Sequence, residues 1–96
     1  MREKTLQDIL NPRQFRLVVF LSKGLTNKQI ARRVGTTQGV IKNCFHVIYE
    51  VTGAWKRLEL AIRFNRERGE RLYNFEYLRD AHVPRVANDV SAVTNR

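Results

Sequence analysis

Apolar residues recur at helical spacing along most of the chain, and capping residues mark where each helical pattern begins. Asn11-Pro12 begins the first pattern, because Asn is favoured at the N-cap, Pro at the first helical position, and Gln14 completes a capping box. The apolar run 17–21 would also suit a buried strand, but the capping signal before it and Gly24 after it favour a helix. The pattern therefore predicts a first helix between Asn11 and Gly24.

Two further helices are predicted on either side of a short, glycine-containing turn. Thr26 and Gln29 form a second capping box, and an apolar stripe follows within 30–34. Thr36-Thr37 then offers a new N-cap for a third helix over 38–52. These two helices and their turn have the spacing of a helix-turn-helix.

The predicted third helix separates apolar from polar residues. At about 100° per residue, the two kinds fall on opposite sides of the helix. The apolar side comprises Val40, Ile41, Cys44, Val47, Ile48 and Val51. The opposite side comprises Gly39, Lys42, Asn43 and His46, and Gly53 ends the helix.

A fourth helix is predicted from Lys56 to about Arg68, with apolar residues on two sides. The residues expected to face inward are Leu58, Ala61, Ile62 and Asn65. Leu60 and Phe64 lie on a different side and form a spare apolar face. Residues 70–81 continue with a looser pattern that would add a fifth helix, and the polar run 82–96 predicts a frayed tail.

The predicted organisation is an all-α, four-helix helix-turn-helix domain over residues 10–68. Residues 1–9 form an N-terminal arm, and residues 69–96 form a C-terminal extension, partly helical and then flexible. The chain has 96 residues, of which 43% are hydrophobic, which suits one small domain with a modest core.

Composition narrows the environment and the chemistry. The longest apolar run has five residues, whereas a membrane helix needs about twenty, and no export signal is evident. A single cysteine, Cys44, excludes an internal disulfide and a multi-cysteine zinc site. We therefore expect a cytoplasmic protein with no membrane segment, no metal and no cofactor. The sequence shows no arrangement of Ser, His and Asp worth testing as a catalytic triad, no phosphate-binding loop, and no paired carboxylates within residues 10–66. We therefore expect no enzyme.

The net charge of +9 is concentrated in one segment. Residues 10–66 contain eleven Lys and Arg but only two acidic residues, Glu50 and Glu59. The flanking segments are neutral, so the excess is typical of a surface that binds a polyanion. The alternative is a solvated basic surface that serves solubility.

In a helix-turn-helix, the second helix enters the DNA major groove by its N-terminal residues. The candidate base contacts are Gln38, Gly39, Lys42, Asn43 and His46. Lys can donate to guanine, and Asn can pair both ways with adenine. The candidate phosphate contacts at helix N-termini are Thr26, Asn27, Lys28 and Thr37.

The same residues resemble the LuxR/GerE-type DNA-binding domain. The matching fragments are LNPRQ at 10–14, GLTNKQIARR at 24–33, VIKNC at 40–44 and GAWKRLELA at 53–61. The resemblance implies that the third helix binds bases through Lys42, Asn43 and His46. It also implies that Lys28, Thr37 and Arg57 contact the DNA backbone, and that a homodimer forms through the fourth helix. We expect that dimer to use Leu60 and Phe64, in a stand-alone regulator without a sensing domain.

Taken together, these features predict a sequence-specific transcriptional regulator that binds double-stranded DNA. One alternative is a protein-interaction module that docks on RNA polymerase or another regulator. A second alternative is a non-specific nucleic-acid binder. Trp55 suits either packing under its loop or a surface contact, and Cys44 is expected on the buried, unreactive side of its helix.

Overall fold

The computed structural model describes residues 3–74, which form five helices and no strand. The helices are α1 (Leu6–Ile9), α2 (Pro12–Ser22), α3 (Asn27–Val34), α4 (Gln38–Thr52) and α5 (Arg57–Gly69). The all-α prediction is confirmed over this part of the chain. None of these helices has the length and apolar content needed to cross a membrane.

Local capping explains where most helices begin and end. Asn11 and Gln14 exchange side-chain and backbone hydrogen bonds before α2, and Thr26 and Gln29 do the same before α3. The C-caps of α3 and α4 are Gly35 and Gly53, whose φ angles of 81° and 79° lie in the left-handed region that favours glycine. The predicted second and third helices therefore match α3 and α4.

The helices pack in two pairs around one core. α2 packs mainly against α5, α3 packs against α4, and α1 contacts both α2 and α4. Fourteen buried hydrophobic residues form this core: Leu6, Leu10, Phe15, Leu17, Val18, Phe20, Leu21, Ile30, Ala31, Ile41, Phe45, Ile48, Leu60 and Phe64.

The buried face of α4 is rotated from the predicted one. Ile41, Phe45 and Ile48 enter the core, whereas Val40, Val47 and Val51 are exposed. Phe45 was not among the predicted apolar positions, yet it lies one turn from Ile41 and nearly one turn from Ile48, so all three share one side. Val40, Val47 and Val51 therefore form an apolar flank along α4 that the domain itself does not bury.

The N-terminal segment is part of the folded domain instead of a separate arm. Thr5 and Asp8 form a capping box at the start of α1, and Leu6 is fully buried. The predicted helix over 70–81 is absent over the residues that the structure describes, since α5 ends at Gly69 and 70–74 are non-helical. The rest of that predicted helix, and the predicted tail, lie outside the described residues.

Candidate nucleic-acid interface

The outer face of α4 carries the five candidate base contacts. All of them are exposed: Gln38, Gly39, Lys42, Asn43 and His46. They are exposed because the core side of the helix is taken by Ile41, Phe45 and Ile48. The face offers a cation, an amide and an imidazole over the first three turns, which are donors and acceptors suited to base edges.

The start of α4 is held in place by its turn and its cap. The Thr37 hydroxyl oxygen accepts a hydrogen bond from the Val40 N–H at 3.2 Å. The N–H groups of Gly35 and Thr36 both donate to the Ala31 carbonyl of α3, at 2.9 and 3.0 Å. Thus α3 and α4 are joined by three residues that are hydrogen-bonded at both ends, and Thr37 is exposed beside the first turn of α4.

The first turn of α3 brings Thr26, Asn27 and Lys28 together. The Thr26 side chain accepts from the Gln29 N–H at 3.1 Å, and the Gln29 side chain accepts from the Thr26 N–H at 2.8 Å. Asn27 and Lys28 lie in the first turn of α3, where backbone N–H groups have no carbonyl acceptor within the helix. Their N–H groups therefore remain donors for an anion. The exposed Lys28 adds a full positive charge there.

Arg57, the fifth candidate backbone contact, makes contacts inside the protein that the sequence did not predict. Its Nη1 donates to Asn27 Oδ1 and its Nη2 to the Leu25 carbonyl, both at 2.7 Å. Its guanidinium carbon also lies 5.4 Å from the centre of the Phe45 ring, in cation–π range. Arg57 therefore ties the start of α5 to the start of α3 and to the middle of α4.

One open recess collects candidate residues from both predicted classes. It measures about 550 Å³ and lies where α3, α4 and α5 begin; we call it the α3–α5 recess. The candidates that line it are Thr26, Asn27, Gln38 and Arg57. A predicted base contact and three predicted backbone contacts thus share a single surface, while Lys42, Asn43 and His46 continue along α4.

The predicted dimer contacts, Leu60 and Phe64, are wrong. They are only 0% and 3% exposed, because that side of α5 packs on α2. Phe64 lies 5.8 Å from Phe15 and 5.3 Å from Tyr73 between ring centres. The apolar residues left outside are those expected to face inward, Leu58 at 62% and Ile62 at 58% exposed.

A buried carboxylate holds the two ends of the described chain together, and the sequence-based prediction missed it. Glu67 Oε1 accepts from the Leu6 N–H at 2.9 Å and from the Tyr73 hydroxyl at 2.7 Å. Its Oε2 accepts from Arg63 Nε at 2.9 Å. Nearby, the Gln7 side chain donates to and accepts from the backbone of Asn74. The available signal was the helical spacing, which puts Glu67 seven residues after Leu60 on the buried side of α5.

The hydrogen bonds around Glu67 change the pKa of Glu67 and of Tyr73. Burial alone would raise the pKa of Glu67, but the hydrogen bonds from Leu6, Tyr73 and Arg63 outweigh it and lower that pKa. Burial raises the pKa of the Tyr73 hydroxyl, and the Glu67 carboxylate raises it further. Glu67 is thus ionised and Tyr73 protonated in the folded state around neutral pH.

Two further side chains bear on reactivity and recognition. Burial raises the pKa of the Cys44 thiol, and the nearby Arg13 only partly opposes this, so the thiolate is disfavoured. Trp55 is 85% exposed, so of the two predicted environments the structure shows the surface one.

Among residues 3–74, no three His, Cys, Asp or Glu side chains lie together in a way that could hold a metal ion.

No protein-family model matches the chain, and neither a curated protein nor a solved structure matches it. The resemblance to the LuxR/GerE type therefore rests on the residues of this chain alone.

Proposed function

We propose that the protein is a sequence-specific DNA-binding transcriptional regulator of the LuxR/GerE type, acting in the cytoplasm and without a catalytic step. The observation that carries the proposal is the outer face of α4. There Lys42, Asn43 and His46 are exposed together on a helix that starts after a three-residue turn. In this arrangement, the N-terminal half of α4 would enter the major groove.

The charge distribution supports a polyanionic partner. No Asp or Glu occurs between Asp8 and Glu50, a stretch that includes all of α2 and α3 and most of α4. Phosphate contacts supply much of the affinity of a DNA-binding protein, and they need such an excess of positive charge. The exposed Lys28 and the helix starts at Thr26 and Thr37 would hold the backbone on either side of α4.

A homodimer remains part of the proposal, with a different surface. Leu58 and Ile62 lie one turn apart on the exposed side of α5, and they replace Leu60 and Phe64 as the proposed contacts. In a dimer that pairs through α5, the two α4 helices would bind half-sites one helical turn of DNA apart, about 34 Å, or a multiple of that distance.

A second function is favoured by a separate observation. Val40, Val47 and Val51 form an exposed apolar flank on α4, and Trp55 is exposed beyond its end. Exposed apolar surface of this kind often marks a protein contact. The alternative is therefore a module that docks on RNA polymerase or another regulator, and non-specific nucleic-acid binding is a weaker one.

Selection from a random duplex library at near-physiological salt would test the proposal. We expect enrichment of a two-fold symmetric motif, which would require both base contacts and a dimer. An enriched motif should be lost in the variant Lys42→Ala/Asn43→Ala, with Glu70→Gln as a control outside the interface. Enrichment of no motif by the wild-type protein would contradict sequence-specific binding and favour the protein-interaction alternative.

A further inference from the structure

A second basic surface is formed without any residue of α4. It is an open recess of about 490 Å³ between the end of α2 and the outer side of α3. Its polar lining consists of Lys23, Gln29, Arg32 and Arg33, and we call it the α2–α3 recess. Lys23, Arg32 and Arg33 were not candidates in the sequence, because they fall outside the second helix of the helix-turn-helix and outside the helix N-termini.

Within the part of the chain that the structure describes, the three cations of this recess have no acidic partner. Among residues 3–74, Lys23, Arg32 and Arg33 form no ion pair with a carboxylate, and all three are exposed. Arg33 is also held in place, since its guanidinium carbon lies 5.7 Å from the centre of the Phe20 ring. Like charges gathered without a counter-charge oppose folding slightly, and an anion in the recess would relieve that repulsion.

The α2–α3 recess is continuous with the α3–α5 recess. Gly24 and Leu25 line both of them, so the two meet at the turn between α2 and α3. A phosphate chain that passes the N-terminus of α3 at Thr26 and Asn27 would therefore continue directly to Lys23 and Arg32. The Gln29 side-chain oxygen already accepts a hydrogen bond from the Thr26 N–H, so its role beside this path is to cap α3.

We propose that the α2–α3 recess is a second phosphate-binding site, which holds the duplex backbone next to the bases that α4 contacts. The inference rests on the proposed DNA-binding function and extends it to a longer contact along one strand. Lys23 and Arg32 supply two exposed charges, and Arg33 supplies a third that lies over the Phe20 ring. Since these contacts reach phosphates and no bases, they contribute affinity without sequence preference.

The salt dependence of binding measures these contacts directly. Each phosphate contact adds about 0.9 to the slope of log affinity against log salt concentration. The variant Lys23→Gln/Arg32→Gln removes two charges and leaves Arg33 on Phe20. We expect its slope to be less steep than that of the wild type by about 1.8. Over the tenfold range from 1 M to 0.1 M salt, this difference lowers the affinity of the variant relative to the wild type by up to about 60-fold at 0.1 M. The factor should be equal for the selected duplex and for a 30-base-pair duplex of unrelated sequence.

A matched control separates the recess from net charge. Lys4→Gln/Arg68→Gln removes the same two charges from exposed positions outside both recesses, and its slope should stay close to that of the wild type. Circular dichroism melting of both double variants checks that they fold. If the recess variant keeps the full slope while the wild type binds DNA, the second site is refuted and the proposed function stands. If the wild type shows no salt-dependent duplex binding, the proposed function itself fails.

A small phosphate ligand is the other source of the same chemistry. Millimolar inorganic phosphate, added at constant ionic strength, should inhibit duplex binding by the wild type and the recess variant to the same small extent. Selective inhibition of the wild type would assign the recess to a free phosphate compound and overturn its assignment to the duplex.

Discussion

Replacing Glu67 by Gln should destabilise the domain strongly, although the two side chains have nearly the same shape. Glu67 is 3% exposed, and both of its oxygens accept hydrogen bonds. A Gln oxygen can keep the bonds from Leu6 and Tyr73, but the amide nitrogen then faces Arg63 Nε, donor against donor. The salt bridge of 2.9 Å between Arg63 and Glu67 is lost at the same time.

The size of the effect follows from the bonds removed. A hydrogen bond to a charged group contributes about 1.5–3 kcal/mol, and leaving the partly buried Arg63 donor unpaired adds to the loss. We therefore expect Glu67→Gln to lower the free energy of unfolding by about 3 kcal/mol. In a domain of this size, that corresponds to a fall in Tm of about 12–24 °C. Glu70→Gln makes the same chemical change on an exposed side chain and should stay within about 0.5 kcal/mol of the wild type.

The pH dependence of this difference tests the reasoning further. Because folding lowers the pKa of Glu67, the carboxylate stabilises the folded state above about pH 4.3, the ordinary value for Glu. That stabilisation is lost as the pH falls through the lower pKa of the folded state. Urea denaturation of both proteins should therefore give a constant gap between about pH 6 and 7 and a narrowing gap below about pH 4. A gap under about 1 kcal/mol at neutral pH, or one that does not narrow in acid, would refute the proposed role of Glu67.

Three other variants test the interface. Lys42→Ala should weaken binding to the selected duplex by about 1–3 kcal/mol and relax one base position, and an unchanged preference in a repeated selection would exclude Lys42 as a base contact. Leu58→Asp/Ile62→Asp should give monomers in analytical ultracentrifugation, and a dimer that persists would move the interface elsewhere. Arg57→Gln should lower the free energy of unfolding by about 2 kcal/mol, because it removes two hydrogen bonds. If urea denaturation instead shows unchanged stability while DNA binding is lost, Arg57 acts mainly on phosphate.

The helix boundaries could be predicted closely because their signals are local. The capping pairs before α2 and α3 lie three residues apart, and the glycines after α3 and α4 adopt the conformation that only Gly reaches easily. The same local signal was present at Thr5 and Asp8, where a capping box starts α1. That helix was missed because its four residues are too few to show a helical period.

The faces of the helices were harder to predict, because they depend on what packs against them. On α5, the pairs Leu58–Ile62 and Leu60–Phe64 have the same spacing, so periodicity alone cannot choose between them. The choice is made by α2 and by Tyr73, which pack around Phe64. These contacts join residues far apart in the sequence, and no local pattern reports them.

The exposed residues of α4 were predicted well, since any rotation that buries Ile41 and Ile48 leaves Lys42, Asn43 and His46 outside. The internal role of Arg57 could not be predicted, because its partners lie about thirty residues earlier in the chain. The basic α2–α3 recess was hidden for a similar reason. Lys23 and Arg32 are nine positions apart, and only the packing of α3 on α2 brings them into one recess.

The placement of the acidic residues links the stability of the domain to its proposed function. Glu67 is buried, and its charge is used where α1, α5 and Tyr73 meet. Between Asp8 and Glu50, the sequence contains no Asp or Glu, and this stretch includes α3 and most of α4. A carboxylate thus pairs with Arg63 and Arg66 at the end of the domain where the two termini of the described segment meet, whereas α3 and the first three turns of α4 carry only basic charges. Such a separation would orient the domain toward a polyanion before any base is contacted, so the rate of association with DNA should fall steeply as salt is added.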